Sequence, residues 1–111
     1  DEVKDNFTIM KEEPFGPLVP ILTFKDFDEV IERANNNDLG LCSYIYTNSL
    51  EKANRASELM ETGCVAVNTA AVAVAEAPFG GIKQTGYGRE GGSMAIKDYL
   101  NIKFTHFGIS Y

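Results

Sequence analysis

The order of apolar segments over residues 18–68 constrains the fold of this chain more than any other feature. Three short β-favouring runs alternate there with two segments that repeat apolar residues at helical spacing. Because parallel strands need crossover connections, which helices usually provide, this order predicts an α/β fold with a parallel-type sheet and covering helices.

The helix predictions rest on local signals. Apolar residues at i, i+3, i+4 and i+7 predict a first helix with one apolar face, formed by Phe27, Val30, Ile31 and Ala34. Ser49 suits the N-cap of a second helix, which we expect to continue until Gly63 stops it. A short third helix is predicted over residues 93–100.

The strand predictions rest on β-favouring residues between turn signals. We predict strands over residues 6–10, 18–24, 42–47 and 64–68. Pro20 lacks an N–H group, so it restricts the second of these strands to a sheet edge or a bulge.

Length and charge exclude several partners. With 111 residues and 44% apolar content, the chain can form one small domain with a modest core. A formal net charge of −6 leaves no basic stripe for a nucleic acid backbone, and anionic membranes are excluded for the same reason.

The two cysteines and the single histidine carry no predicted chemistry. Cys42 and Cys64 lie in apolar runs, where burial raises the pKa of a thiol, so we expect reduced, inert core cysteines and a cytoplasmic location. His106 has no cysteine or acid cluster near it in the sequence, which predicts a surface or interface position and no metal site.

The first motif is Glu12-Glu13-Pro14-Phe15-Gly16-Pro17, here named the proline loop. Its prolines and glycine hold an acid and an aromatic ring at fixed spacing. A carboxylate can accept hydrogen bonds from the two hydroxyls of a ribose, and a ring can pack against a flat heterocycle. The residues alone leave a second interpretation open, a strand end followed by an ordinary proline turn.

The second motif spans residues 77–91, here named the glycine loop, and contains Pro78-Phe79-Gly80-Gly81. Six of the ten glycines fall within residues 80–92, which predicts a long, flexible loop system. The G-x-G-x-x-G spacing from Gly86 is not a dinucleotide fingerprint, because no apolar strand directly precedes it. A glycine-rich surface loop with Phe79 as its buried anchor is the alternative.

Both motifs resemble the C-terminal portion of aldehyde dehydrogenases, and the resemblance covers about residues 6–108. It implies NAD or NADP as cofactor, with Glu13 holding the nicotinamide ribose and Phe15 flanking the nicotinamide ring. By the same resemblance, Phe79 would be an apolar wall of the aldehyde site and Glu90 a proton relay acting through water. Arg89 and Glu90 would otherwise be a solvated pair of opposite charges.

The branch that the chain resembles most is that of succinate-semialdehyde dehydrogenases. That branch carries a serine before the second motif, where it helps to hold the substrate carboxylate, and Ala73 takes its place here. Losing a hydrogen bond to a charged group costs roughly 1.5–3 kcal/mol, so a related ω-carboxy aldehyde or a small apolar aldehyde is an alternative substrate.

The resemblance also implies a division of the chain. Residues 1–92 would belong to the catalytic domain with its active-site loops, and residues 93–111 would form a C-terminal helix and an oligomerisation strand. Ile102, Phe104 and His106 alternate as in a strand, with no partner nearby in the sequence.

By the same resemblance, the nucleophilic cysteine and the general-base glutamate would lie upstream of Asp1. The chain alone would then be inactive, and the intact enzyme a homo-oligomer. A non-catalytic binding or assembly module that uses the terminal strand is the alternative.

Overall fold

A computed structural model describes residues 3–110 of the chain. These residues form two α-helices, α1 (Phe27–Asn35) and α2 (Leu50–Leu59), and two 3-10 helices, Thr8–Met10 and Ala95–Tyr99. The strands are β1 (Leu39–Gly40), β2 (Cys42–Ile45), β3 (Cys64–Val67) and β4 (Ile82–Lys83). Residues 1, 2 and 111 lie outside the described residues. They are the first two residues of the predicted catalytic-domain segment 1–92 and the last residue of the predicted C-terminal segment 93–111.

Both predicted α-helices are present, and each begins at a side-chain cap. The Asp26 carboxylate accepts the Glu29 N–H at 2.9 Å at the start of α1, and the Ser49 hydroxyl accepts the Lys52 N–H at 3.3 Å at the start of α2. The predicted end of α2 is wrong, because the helix stops at Leu59. Asn35 ends it by accepting the Glu61 N–H and donating to the Leu59 carbonyl, both at 2.8 Å.

The predicted parallel pairing is confirmed for β2 and β3. Their register runs from Cys42 opposite Cys64 to Ile45 opposite Val67, and α2 is the crossover between them. A second, antiparallel pair joins β1 to β4. The chain is therefore a small α/β unit. It has two separate two-stranded sheets in place of the one parallel-type sheet predicted from the sequence.

Two strand predictions near the N-terminus are wrong. Residues 8–10 form a 3-10 helix, because the Met10 N–H finds a local acceptor in the Phe7 carbonyl at 3.0 Å. Residues 18–24 form no helix and pair with no strand in the described part of the chain, and Val19 is 81% exposed. A strand needs a partner for its backbone groups, and local β-favouring residues do not supply one.

The C-terminal segment also differs from the prediction. The predicted helix over residues 93–100 is a shorter 3-10 helix, and residues 101–110 form neither a helix nor a strand. Ile102 is 100% exposed and Phe104 87%. The resemblance implies a partner for the final strand in a second subunit, so the single chain does not test that prediction.

The core of the described residues is small. The buried apolar residues are Ala53, Ala56 and Ala66, in α2 and β3. The unit measures 79 × 33 × 25 Å with a radius of gyration of 19.4 Å, against about 13 Å for a compact domain of about 100 residues. None of the described helices combines the length and the apolar character that a membrane span requires. Much apolar surface is therefore left uncovered.

Candidate functional site

The proline loop presents its acid and its ring to the outside. Two tight turns shape it, in which Gly16 N–H donates to the Pro14 carbonyl at 3.0 Å and Leu18 N–H donates to the Gly16 carbonyl at 2.8 Å. Phe15 is 93% exposed, and the exposed Glu13 carboxylate makes no hydrogen bond or ion pair within residues 3–110. Both side chains are thus available to a ligand.

Glu13 borders a groove of about 420 Å³, here named the proline-loop groove. The opposite wall comes from the first residues of β2 and the segment before it, including Leu41 and Cys42. Phe15 does not line this groove, so the two predicted cofactor residues face different surroundings in the described chain.

A backbone bridge closes the glycine loop. The Phe79 N–H donates to the Glu90 carbonyl and the Glu90 N–H to the Phe79 carbonyl, both at 2.7 Å. Phe79 is half-buried and Glu90 is exposed. Two of the residues singled out in the sequence are therefore direct neighbours in space, although ten residues separate them.

Close backbone packing makes glycine necessary in the glycine loop. Gly80 and Gly81 are buried, and a Cβ atom on Gly63 would collide with the backbone of both. A Cβ atom on Gly80 would collide with the Gly88 carbonyl oxygen. The loop is consequently held against the start of β3, and the predicted flexibility does not apply to residues 79–81.

Arg89 fixes the glycine loop from the other side. Its guanidinium donates to the carbonyl oxygens of Gly81 at 2.7 Å and of Tyr87 and Gly88 at 2.9 Å each. The backbone N–H of Arg89 donates to the Asp98 carboxylate at 2.7 Å. The interpretation of Arg89 and Glu90 as a solvated ion pair is wrong, because the arginine is committed to backbone carbonyls.

The glycine loop borders a second groove, of about 370 Å³, here named the glycine-loop groove. Phe79 and Glu90 line it, and Leu41 and Thr85 line both grooves. Glu13 and Phe79 thus lie on either side of one shared wall. Leu41 lies outside both motifs, and Thr85 lies in the glycine loop, where its hydroxyl accepts the Gly40 N–H at 2.9 Å.

Ala73 is not brought to either groove. It is exposed in the irregular segment between β3 and β4. Lys83 holds the far end of this connection, since its ammonium group donates to the Asn35 carbonyl at 2.8 Å and pairs with Glu61 at 2.6 Å. The substrate role predicted for Ala73 therefore stays a prediction.

The cysteines and the histidine were expected to be inert. Burial raises the pKa of the Cys42 thiol, and the adjacent Cys64 thiol raises it further, which lowers the fraction of Cys42 present as the reactive thiolate. His106 is exposed and stacks on Phe104 with ring centroids 6.5 Å apart. Within residues 3–110, no three acidic, cysteine or histidine residues converge on a metal position.

Comparisons with known proteins agree with the two motifs. The family model "Aldehyde dehydrogenase family" matches residues 1–105. The 3-sulfolactaldehyde dehydrogenase of Pseudomonas putida is 49% identical over 107 residues, which are 96% of this chain and 22% of that protein. The succinate-semialdehyde dehydrogenase GabD of Escherichia coli K12, named with NADP(+), is 44% identical over 97% of this chain and 22% of its own length.

A solved structure supports the fold assignment. The NAD+ complex of an aldehyde dehydrogenase from Bacillus cereus superposes with a TM-score of 0.88 at 43% identity, over 92% of this chain and 21% of that one. The chain spans about a fifth of the length of the relatives that it matches. The predicted resemblance, including that to succinate-semialdehyde dehydrogenases, is confirmed: the chain belongs to the aldehyde dehydrogenase family.

Proposed function

We propose that this chain supplies cofactor and substrate walls to an NAD(P)-dependent aldehyde dehydrogenase that oxidises an aldehyde to a carboxylic acid. The observation that carries the proposal is the family match over residues 1–105, together with two motif loops that border grooves sharing one wall. Relatives named with NADP(+) or solved with NAD+ support the choice of cofactor.

The proline loop fits the nicotinamide half of such a cofactor. Glu13 has a free carboxylate beside the proline-loop groove, and it would accept hydrogen bonds from the ribose hydroxyls. The exposed Phe15 ring would pack against the nicotinamide ring. The bound nicotinamide would supply the hydride acceptor for the oxidation.

The glycine loop fits the aldehyde side. Phe79, half-buried and held through its backbone to Glu90, would form an apolar wall that excludes water from the reacting carbon. Glu90 has an exposed carboxylate on the same groove, where it would pass a proton to or from water. Because the family resemblance assigns neither Cys42 nor Cys64 the role of nucleophile, the proposal requires a cysteine nucleophile and a glutamate base outside these residues.

For the substrate we propose a small aldehyde, with an anionic far end as the first choice. Names of two relatives, 3-sulfolactaldehyde and succinate-semialdehyde dehydrogenase, support an anionic group. Ala73 offers no donor to that group, which keeps a small apolar aldehyde as the alternative. Comparing kcat/KM for succinate semialdehyde and butanal decides between them.

The direct test uses the protein expressed from its complete reading frame. Mixed with an aldehyde and NAD+ or NADP+, it is expected to form reduced cofactor and acid in equal amounts. The 111-residue chain alone is expected to turn over none. Turnover by the chain alone, or no turnover of any aldehyde by the complete protein, would contradict the proposal.

A second candidate function, assembly, is favoured by the C-terminal segment. Ile102 and Phe104 are almost fully exposed in a segment that forms no helix or strand within residues 3–110, which leaves the segment available for addition to a sheet edge in a second copy. We propose that residues 93–111 assemble a homo-oligomer and that residues 1–92 belong to the catalytic domain. We also propose a cytoplasmic location for the enzyme. If the complete protein assembles but neither binds NAD(P) nor turns over an aldehyde, the assembly module alone is correct.

A further inference from the structure

Two cysteines face each other at the first position of the parallel ladder. Cys42 and Cys64 are direct partners in the register of β2 and β3. Neighbouring strands lie about 4.8 Å apart, and directly opposed side chains point to the same face of a sheet. A disulfide needs Cα atoms about 4.4–6.8 Å apart, and the spacing of the ladder lies within that range.

The two thiols differ in their surroundings. Cys42 is half-buried and is one of the residues that line the proline-loop groove, so a small molecule in that groove lies beside it. The Cys64 thiol donates a weak hydrogen bond to the Gly80 carbonyl at 3.5 Å. Cys42 thus borders the proline-loop groove, and Cys64 connects the pair to the glycine loop.

We propose that Cys42 and Cys64 are a modification site, at which a small-molecule disulfide such as oxidised glutathione converts the dithiol to a cross-strand disulfide. Cys42, as its thiolate, attacks one sulfur of the small disulfide and expels a thiolate. Cys64 then loses its proton, attacks the Cys42 sulfur and expels the second thiolate. The protein loses two electrons and two protons, and the small disulfide is reduced to two thiols.

Oxidation has a defined consequence for the glycine loop. The disulfide removes the S–H group of Cys64, so the Gly80 carbonyl loses that donor. At the same time the covalent link fixes the starts of β2 and β3 to each other. Burial raises the pKa of Cys42, so the exchange is slow and needs sustained exposure to the oxidant. The inference stands on the sheet register and does not depend on the proposed function.

The test uses the folded protein from its complete reading frame, incubated with oxidised glutathione. Free thiols are then blocked with N-ethylmaleimide, and the digest is analysed by mass spectrometry. We expect a linked pair of peptides containing Cys42 and Cys64, two hydrogen atoms lighter than their sum and separated again by dithiothreitol. In Cys64→Ser, the glutathione adduct is expected to persist on Cys42 without a linked peptide.

Two results would overturn the proposal. One is that both thiols stay free, or carry only glutathione, in the wild-type protein while other thiols react. The other is that the linked peptide forms only after denaturation. Circular dichroism of the oxidised protein separates these cases, because a native spectrum shows that the link formed in the folded state.

Discussion

Replacing Arg89 with methionine is expected to loosen the glycine loop without unfolding the protein. The guanidinium serves three carbonyl oxygens, but Tyr87 and Gly88 are exposed, so water replaces the arginine there. Gly81 is buried, and its carbonyl would lose its charged donor. Hydrogen bonds to charged groups contribute about 1.5–3 kcal/mol, so we expect a loss of about 2 kcal/mol, confined to the loop.

Hydrogen exchange of the complete protein measures this loss locally. The Phe79 and Glu90 amides bond to each other's carbonyls, so both report opening of the loop. A loss of about 2 kcal/mol raises their exchange rates about 30-fold if opening is local.

The control for the Arg89 variant is Arg55→Met. Arg55 forms an exposed ion pair with Asp28 and lies over the Phe27 ring, at a distance from the glycine loop along the chain. Such a pair contributes about 0–1 kcal/mol to stability. We therefore expect the hydrogen-exchange rates of the Phe79 and Glu90 amides to stay unchanged in Arg55→Met. Equal rates in wild type and Arg89→Met, or the same acceleration in both variants, would refute the reasoning.

Three further predictions concern packing, substrate and assembly. Gly63→Ala should lower the melting temperature by several degrees, because its methyl group would collide with the backbone of Gly80. The control Gly108→Ala should leave the melting temperature unchanged, because a methyl group there meets open space. Equal melting temperatures of the two variants would contradict this prediction. Ala73→Ser should raise kcat/KM for succinate semialdehyde about tenfold, because the hydroxyl restores one hydrogen bond, and should leave kcat/KM for butanal unchanged. An equal gain for both aldehydes would show that residue 73 lies outside the substrate site. Phe104→Asp should shift the complete protein to smaller species in light scattering, and an unchanged mass would exclude the terminal segment from assembly.

The helices were predictable from the sequence because their signals are local. Asp26 and Ser49 precede apolar residues at helical spacing, and each caps its helix as expected. The strands were less predictable, since residues 18–24 and 101–110 have β-favouring composition but no partner in the described chain. Pairing depends on segments far apart in sequence, which a local pattern does not specify.

The candidate site was also predictable only where its signals are local in the sequence. Motifs identified Glu13, Phe79 and Glu90, but not that Leu41 and Thr85 would form a wall common to both grooves. Leu41 lies outside both motifs and Thr85 was not singled out within the glycine loop, because the role of both residues comes from the packing of β1 against β4. The alternative interpretation of Arg89 as half of a solvated pair rested on its adjacency to Glu90, whereas the loop geometry offers it three backbone carbonyls, of which that of Gly81 belongs to a buried residue.

The most direct test of the central claim compares Glu13→Gln with Glu12→Gln in the complete protein. Both changes remove one carboxylate from the same loop, but only Glu13 is proposed to hold the nicotinamide ribose. We expect Glu13→Gln to lower kcat/KM for the cofactor about tenfold, as the loss of one charge-assisted hydrogen bond implies, and Glu12→Gln to change it less than about twofold. Equal effects of the two substitutions, or a larger one for Glu12→Gln, would contradict the assignment of the proline loop to the cofactor.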